Sequence, residues 1–325
     1  MGRINQIVVI ADEAMQKSVI SDTLQYYFES AYPVMPAEEP TFDVRYMMVE
    51  DLNARPVNRE MRVFLVLADL TDTLSSSTRM LRQDMGAETF ADALEKGGHQ
   101  VLVGKDKWAK GQLLIYLMGK GKAALVEGIR AHFPAISKKV NEHDQPNLLA
   151  TVYGIQNENE TLSRLVSDRF GFSARIPGLY QKAMEGENFL WVRMDTDDMI
   201  QGLVFRKFPY RSRNQFALDS IILLRNEYGA RFIRTGFADA YMSTNTIDLP
   251  ALEYTYYHNN MYVKEVRGIW ETVNDFKGGP FVSYLLHNEK NGELLFVDAF
   301  VFAPGREKRD YMQQLDCIVK TIRPL

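Results

Sequence analysis

Tyr262 to Ile322 reads YVKEVRGIWETVNDFKGGPFVSYLLHNEKNGELLFVDAFVFAPGREKRDYMQQLDCIVKTI, and its pattern predicts three consecutive β-strands closed by one helix. Val263 to Val273 is rich in Val, Ile and Trp, with Ile269, Glu271 and Val273 alternating with Trp270 and Thr272. Gly278-Gly279-Pro280 is expected to break that strand, since glycine permits unusual backbone angles and proline donates nothing to a ladder. Phe281 to His287 resumes as a strand, and Asn288 to Gly292 supplies hairpin chemistry through Asn291-Gly292, which tolerates positive φ. Leu294 to Phe302 is apolar on both faces: Leu295, Val297, Ala299 and Val301 on one, Phe296, Phe300 and Phe302 on the other. Such a strand is covered on two sides, and Asp298 is its one charge. After Pro304-Gly305, Tyr311, Leu315, Ile318 and Ile322 make one helical stripe, expected to lie on the Val297 face. Cys317 stands beside that stripe as a buried structural thiol.

A chain of 325 residues exceeds the size at which single cores stop growing, so two domains are expected. The boundary is placed near Gly171, giving an N-terminal α/β lobe over 1–170 and a C-terminal lobe over 171–325. The fold class is α+β, each lobe a mostly antiparallel or mixed sheet packed with helices, the second an α/β sandwich closed by its terminal helix. Hydrophobic residues at 46% and charged residues at 25% exclude global disorder. The first 170 residues carry 19 basic and 23 acidic groups and the remainder 19 of each, so neither half has the basic excess of a duplex nucleic-acid binder. One cysteine rules out an internal disulfide. No apolar run reaches the roughly 18 residues of a membrane span, and the first residues hold no signal-peptide core. Gln6 stands where a myristoylation site needs Ser or Thr.

Along the chain, Ile7 to Ala11 reads as a buried strand and Asp12 as the N-cap of a helix burying Met15, Val19, Leu24, Tyr27, Phe28 and Ala31. Pro33 to Pro40 is a loop. Phe42 to Val49 and Arg62 to Leu70 are strands, which makes a β-α-β-β opening. Thr71 to Gly98 reads as a polar loop with a helical turn, and Gln100 to Gly104 as a strand. Lys107 to Arg130 fits either one kinked helix or a strand before a helix. Thr161 to Phe170 is a helix with Gly171 at its C′ position. Strands follow at Phe172–Ile176, Phe189–Asp195 and Gly202–Phe208, then a helix over Phe216–Tyr228 with Leu218, Ile221, Ile222 and Leu224 inward. A hairpin over Glu253–Lys264 turns at His258-Asn259-Asn260. No repeat of 20–50 residues is visible.

Catalytic and metal grammar fails wherever it is tested. His99, His132, His143, His258 and His287 lie beyond ligand spacing of one another, and Cys317 stands alone. Asp195, Asp197 and Asp198 open a would-be calcium loop, but Ile200 and Arg206 replace its required Gly and Glu. Gly119-Lys120-Gly121-Lys122 lacks the earlier glycine and following hydroxyl of a phosphate loop, with Tyr116 and Ala123 there, and reads as a solvated helix start. No G-x-S-x-G elbow occurs. No cofactor is implied. Two surface candidates remain. Arg206, Lys207, Arg211 and Arg213 surround Phe208 and Tyr210 after a strand, a grip for an anionic glycan, lipid head group or carboxylates. Trp191, Trp270, Tyr284, Phe296 and Phe300 form an aromatic set that serves either as a binding face or as core.

The IVVI opening, RVFLVLAD, the FLW at Phe189–Trp191, Tyr241 to Thr244, and RGIW…NDFKGGPFVSY…VFAPGREKRDYMQQLDCI together resemble an uncharacterised domain-of-unknown-function family of Bacteroidetes envelope lipoproteins, with DFKGGPF the most specific motif. The resemblance spans nearly the whole chain. It implies an export signal and a lipid-modified cysteine upstream of residue 1, with Gly2 a cloning remnant, and brings no assigned activity or catalytic residue. The second lobe is similar to the α/β sandwich of the PsbP-like fold, whose members are mostly non-enzymatic assembly or binding factors. Asp72-Thr73-Leu74 is similar to the acceptor triplet of protein O-glycosylation in that phylum. The expectation is a non-catalytic, lipid-anchored envelope protein binding a protein or glycan partner through Arg206, Lys207, Tyr210, Arg211, Arg213 and Trp270. Two alternatives stand beside it: an enzyme with an interlobe carboxylate site drawn from Asp195, Glu271 and Asp298, and a hydrophobic-ligand carrier with a closed cavity on the Phe296 face.

Overall fold

In RVFLVLAD every residue after the arginine is buried, and that run becomes the middle strand of a five-stranded sheet. A computed structural model describes residues 2–154, 156–234, 236–237, 239–289 and 292–325. It divides into two compact units, residues 1–31 with 40–147, and residues 32–39 with 148–325.

The first unit holds β1 (Gln6–Ile10), β2 (Asp43–Met47), β3 (Val63–Asp69), β4 (His99–Lys105) and β5 (Leu113–Gly119) in the order β2-β1-β3-β5-β4. All pairings are parallel except β4 with β5. Parallel strands need crossovers and cover on both faces. Helices α1 (Glu13–Gln16), α2 (Val19–Phe28) and α6 (Lys122–Tyr153) supply one face, burying Met15, Ile20, Leu24, Phe28, Leu125 and Ile129 against Ile7, Val9 and Leu65. Helices α3 (Val49–Ala54), α4 (Ser76–Met85) and α5 (Ala87–Lys96) supply the other through Leu52, Leu81, Phe90 and Ala93.

Several expectations for this unit are corrected. The helix after Asp12 breaks where the Ser18 Oγ accepts from the Ile20 N–H at 3.3 Å and starts α2, so Ile20 is buried while Val19 is exposed. Asp12 accepts instead from the Ser76 N–H at 3.1 Å and the Ser77 hydroxyl at 3.2 Å. Thr71 to Gly98 is two helices, not a loop, because Ser75 caps α4 and its sparse apolar residues fall on one side. Val49 begins α3, so the opening is β-α-β-α-β. Lys107 to Arg130 resolves into β5 and then α6, with Gly119 and Gly121 at the junction. A Cβ on Gly119 would stand 2.6 Å from the Leu125 nitrogen, so the close approach of α6 requires glycine.

The second unit contains α7 (Glu160–Phe170), β6 (Phe172–Ser173), β7 (Gln181–Gly186), β8 (Phe189–Asp195), β9 (Ile200–Pro209), α8 (Leu218–Phe232), β10 (Tyr241–Asn245), β11 (Leu252–His258), β12 (Met261–Val273), β13 (Gly278–Asn288), β14 (Glu293–Phe302), α9 (Arg309–Val319) and β15 (Arg323–Pro324). Eight of its strands form one antiparallel sheet, β10-β12-β13-β14-β9-β8-β7, with β11 on the free half of β12. The alternation in β14 holds: Leu295, Val297, Ala299 and Val301 pack under α9 and α7, and Phe296, Phe300 and Phe302 under α8. Leu315, Ile318 and Ile322 are all buried on the Val297 side, each worth about 1.5–3 kcal/mol relative to exposure. Gly171 ends α7 in the left-handed region, at φ 73° and ψ 23°. Helix α7 belongs to this core, so the change of unit precedes it and does not wait for Gly171.

The β11–β12 hairpin turns on Asn259 and Asn260 at φ 48° and 61°, the mirror-image turn that matches strand twist. The β13–β14 connection depends in the sequence on Asn291, which lies outside the described residues; Gly292 has φ 65°. Gly278-Gly279-Pro280 does not break a strand. The turn is made earlier, at Asn274 with φ 61°, and the three residues pair with Glu271, Trp270 and Ile269. A Cβ on Gly279 would lie 2.0 Å from the Val301 carbonyl oxygen, so the pair of glycines admits a close backbone approach. Phe172–Ile176 pairs only through the two residues of β6, with β15. The buried side of α8 is Ile221, Arg225, Tyr228 and Gly229, while Leu218, Ile222 and Leu224 are half-buried.

Candidate functional site

Each face of the large sheet buries an arginine, and the two are built differently. Under α9, Arg267 on β12 donates through Nη2 to Asp316 at 2.8 Å and through Nε to Glu265 at 2.6 Å. The hydroxyls of Tyr284 and Tyr32 donate to Asp316 at 2.5 and 3.3 Å, and that of Tyr256 to Glu265 at 2.7 Å. None of these side chains leaves a buried polar atom unpaired. Under α8, Arg225 lies 3.8 Å from the Phe281 ring centroid and donates to Asp298 Oδ1 at 3.1 Å, an oxygen that also accepts from Ser283 at 2.5 Å. Asp298 Oδ2 and the Tyr228 hydroxyl are buried without a hydrogen bond of good geometry, although the Tyr228 phenol approaches the Asp298 carboxylate. Burial, then the nearby Asp298 charge, pushes the Tyr228 phenol well above its ordinary range.

The α8 face also carries a cavity of about 210 Å³, walled by Trp191, Trp270, Phe300 and Phe302 with Ile233 and Met242. Glycines make room for such rings: a Cβ on Gly202 would stand 2.3 Å from the Phe300 ring. Trp270 is held edge-on to Phe300, ring centroids 5.8 Å apart, with its Nε1 donating to the Val301 carbonyl at 3.2 Å. Trp191 is also buried, at 9% exposure, yet its Nε1–H has no acceptor. A buried indole N–H normally finds one. Arg193, Arg234 and Lys277 line the same cavity, and no carboxylate does. Asp195 pairs with Arg193 at 2.8 Å and Asp275 with Lys277 at 3.3 Å. Arg234 has no carboxylate in ion-pair range among the described residues. The chamber thus offers flat apolar walls and one unneutralised cation, Arg234.

Residues 159–321, half of the chain, match a family model described as Domain of unknown function (DUF4837). The chain belongs to this family. The matched span contains every cavity residue and the DFKGGPF motif, whose Lys277 lines the cavity and whose Gly279 accommodates its wall. Residues 1–153 match a second model, Domain of unknown function (DUF8532). No curated protein matches the chain. Among solved structures, LpqN, described as involved in cell envelope biogenesis of Mycobacterium tuberculosis, aligns at 10% identity over 47% of this chain and 83% of its own, with a TM-score of 0.28. Human STARD10 aligns at 7% identity over 50% and 74%, with a TM-score of 0.22. At these scores the likenesses bear on neither function nor ligand.

The residues singled out from sequence do not converge on one place in the DUF4837 unit. Trp270 lines the cavity near the Ile200 end of β9, whereas Arg206 and Lys207 sit toward its Pro209 end. Ten residues of strand separate those ends by roughly 30 Å. Arg206 and Lys207 point to opposite faces and meet Glu227 at 3.6 Å and Glu293 at 3.4 Å. Tyr210 stacks on His287 with centroids 4.5 Å apart. Arg211 and Arg213 are exposed, with no carboxylate in ion-pair range among the described residues. Of the aromatic set, Trp191, Trp270 and Phe300 wall the cavity, Phe296 is core, and Tyr284 lies on the opposite face.

The acids are equally dispersed. Asp298 is fully buried, Asp195 is exposed beside Arg193, and exposed Glu271 accepts from Asn245 at 3.0 Å. No group of three His, Cys, Asp or Glu side chains able to hold a metal occurs among the described residues. Cys317 is buried. Although His99 and His132 are far apart in sequence, β4 and α6 bring His99 Nδ1 within 2.9 Å of His132 Nε2. No described helix is long and apolar enough to cross a membrane. Sequence reasoning missed Arg225, Arg193, Arg234 and Lys277. The hydroxyl-rich and cation-bearing strand ends gave no periodic signal, and only the closeness of DFKGGPF to Trp270 pointed toward the cavity.

Proposed function

We propose that the chain is a non-catalytic, lipid-anchored binding protein of the cell envelope, as the Bacteroidetes lipoprotein resemblance implies, and that its second unit holds a small flat ligand carrying a hydrogen-bond acceptor. The observation behind the ligand is the chamber lining itself: flat walls of Trp191, Trp270, Phe300 and Phe302, with Arg234 beside them and no carboxylate in ion-pair range among the described residues. A cavity of roughly 150 Å³ accepts one benzene, so this one suits a single ring system with a short substituent. Calorimetric titration with quinoline, which offers a flat ring and one acceptor nitrogen, tests the reading against naphthalene, which offers only the ring. Quinoline is expected to bind more tightly than naphthalene, and Arg234→Met to weaken quinoline about tenfold while leaving naphthalene unchanged. Absence of quinoline binding to the native chain discards the reading. Fractionation of cells producing the native protein, with mass spectrometry of its amino-terminal peptide, tests the anchor.

A second surface serves a protein or glycan partner. Its support is the pair Arg211 and Arg213, exposed cations beside the Tyr210–His287 stack. Arg211→Glu with Arg213→Glu is expected to abolish partner recovery in pull-downs from native membranes, and unaltered recovery counts against this surface.

A further inference from the structure

We infer that the first unit binds a neutral sugar, in a cleft of about 400 Å³ between α3 and α4. The cleft is lined by residues between Val49 and Trp108, and none of them lines the cavity of the second unit. One wall is Trp108. Its backbone N–H and that of Ala109 donate to Gln112 Oε1 at 2.9 and 3.0 Å, and its ring stands edge-on to Phe64 with centroids 5.0 Å apart. The indole is therefore a fixed, half-buried plate and not a side chain free to turn in solvent. The C–H face of a pyranose packs on such a plate as any apolar patch does.

The rest of the lining suits hydroxyl groups. Glu50 and Asp84 supply two negative charges and Arg79 and Lys107 two positive ones, so neither an anion nor a cation is favoured. The charges next to these cancel as well: Asp51, Arg82 and Asp106 along the chain, and Arg59, whose Nη2 donates to Asn53 Oδ1 at 2.6 Å. The lining groups hold one another in place. Lys107 and the Tyr116 hydroxyl both donate to Asp84 Oδ2, and the Ser76 hydroxyl to Glu50 Oε1 at 2.6 Å. Hydrogen-bonding capacity of both kinds is left over. Among the described residues the Gln83 amide and Asn53 Nδ2 meet no partner, Asp84 Oδ1 accepts from none, and the Arg79 guanidinium donates only to Ser76 Oγ, at 3.4 Å. A sugar hydroxyl donates and accepts together, and carboxylate, amide and guanidinium side by side meet both needs. A phosphate would face Glu50 and Asp84, and a hydrocarbon would strip water from every one of these groups. Since roughly 150 Å³ takes one benzene ring, about 400 Å³ takes two six-membered rings, the size of a disaccharide.

Calorimetric titration of the full chain with maltose, cellobiose, lactose and diacetylchitobiose is the test, with digalacturonate and the amine form of chitobiose as charged controls. At least one neutral disaccharide is expected to bind, and both controls more weakly than it. Trp108→Ala is expected to lower that affinity at least tenfold and Gln83→Ala about fivefold. Gln83 is exposed and unpartnered among the described residues, so its substitution leaves the fold intact; where Trp108→Ala unfolds in a denaturant check, Gln83→Ala decides alone. Silence from all four neutral sugars, tighter binding of either charged control, or an affinity that Gln83→Ala leaves unchanged overturns the assignment.

Discussion

The two faces of the eight-stranded sheet are alike in apolar content and unlike in how they treat polar atoms. On the α9 face one arginine meets two carboxylates and three phenols, and the network is closed. On the α8 face one arginine meets one carboxylate, Asp298 Oδ2, Tyr228 Oη and Trp191 Nε1 lack a well-formed hydrogen bond, and of these residues Trp191 walls a cavity. The first is redundant and serves cohesion. The second leaves buried donors and acceptors poorly satisfied, which natural cores tolerate mainly where something else is to be bound.

Asp298→Ala should cause the largest loss, about 4 kcal/mol in denaturant unfolding, because Arg225 is then buried with no carboxylate among the described residues. Asp316→Ala should cost about 3 kcal/mol, since Glu265 still compensates Arg267; the reverse ranking breaks the contrast. Alkaline titration comes next. Burial holds both Tyr284 and Tyr228 well above the ordinary phenol value of 10.0. Protonated phenol is the folded form, so their contribution is complete below pH 10 and is lost as pH rises toward the folded values. Ultraviolet titration should show both ionising only with unfolding.

A smaller effect should differ in size. Tyr284→Phe removes a short hydrogen bond to Asp316 and should cost about 1–2 kcal/mol, whereas Tyr228→Phe removes a hydroxyl that approaches Asp298 only in poor geometry and should cost under about 1 kcal/mol. Equal losses would mean that the α8 face is as well satisfied as its opposite. Arg234→Met should matter least to stability, within about 1 kcal/mol, because Arg234 is exposed, while removing acceptor preference in ligand titrations.

Much of the sealed face was legible. Steps of four and three through Tyr311, Leu315 and Ile318 announce α9, and the alternation of Leu295, Val297, Ala299 and Val301 says which side it covers. The open face was legible only as excess aromatic residues, because its cavity joins β8, β9, β10, β12, β14 and the loops after α8 and β12. Gly278-Gly279 was visible but misread: the same residue type that ends a strand also admits a close neighbour within one. The polar segment Thr71 to Gly98 hid two helices, since three inward residues sufficed once β3 offered a surface to cover.

By itself the amino-acid order settled the α+β class, the two-sided β14, its helix and the Asn259-Asn260 turn, because periodicity and turn angles are properties of neighbours along the chain. Only tertiary structure decided that Arg225 and Arg267 are buried on opposite faces, that His99 meets His132, and that Trp191 lacks an acceptor. Whether a charge or donor is satisfied depends on partners brought in from distant positions, and no local pattern records who those partners are.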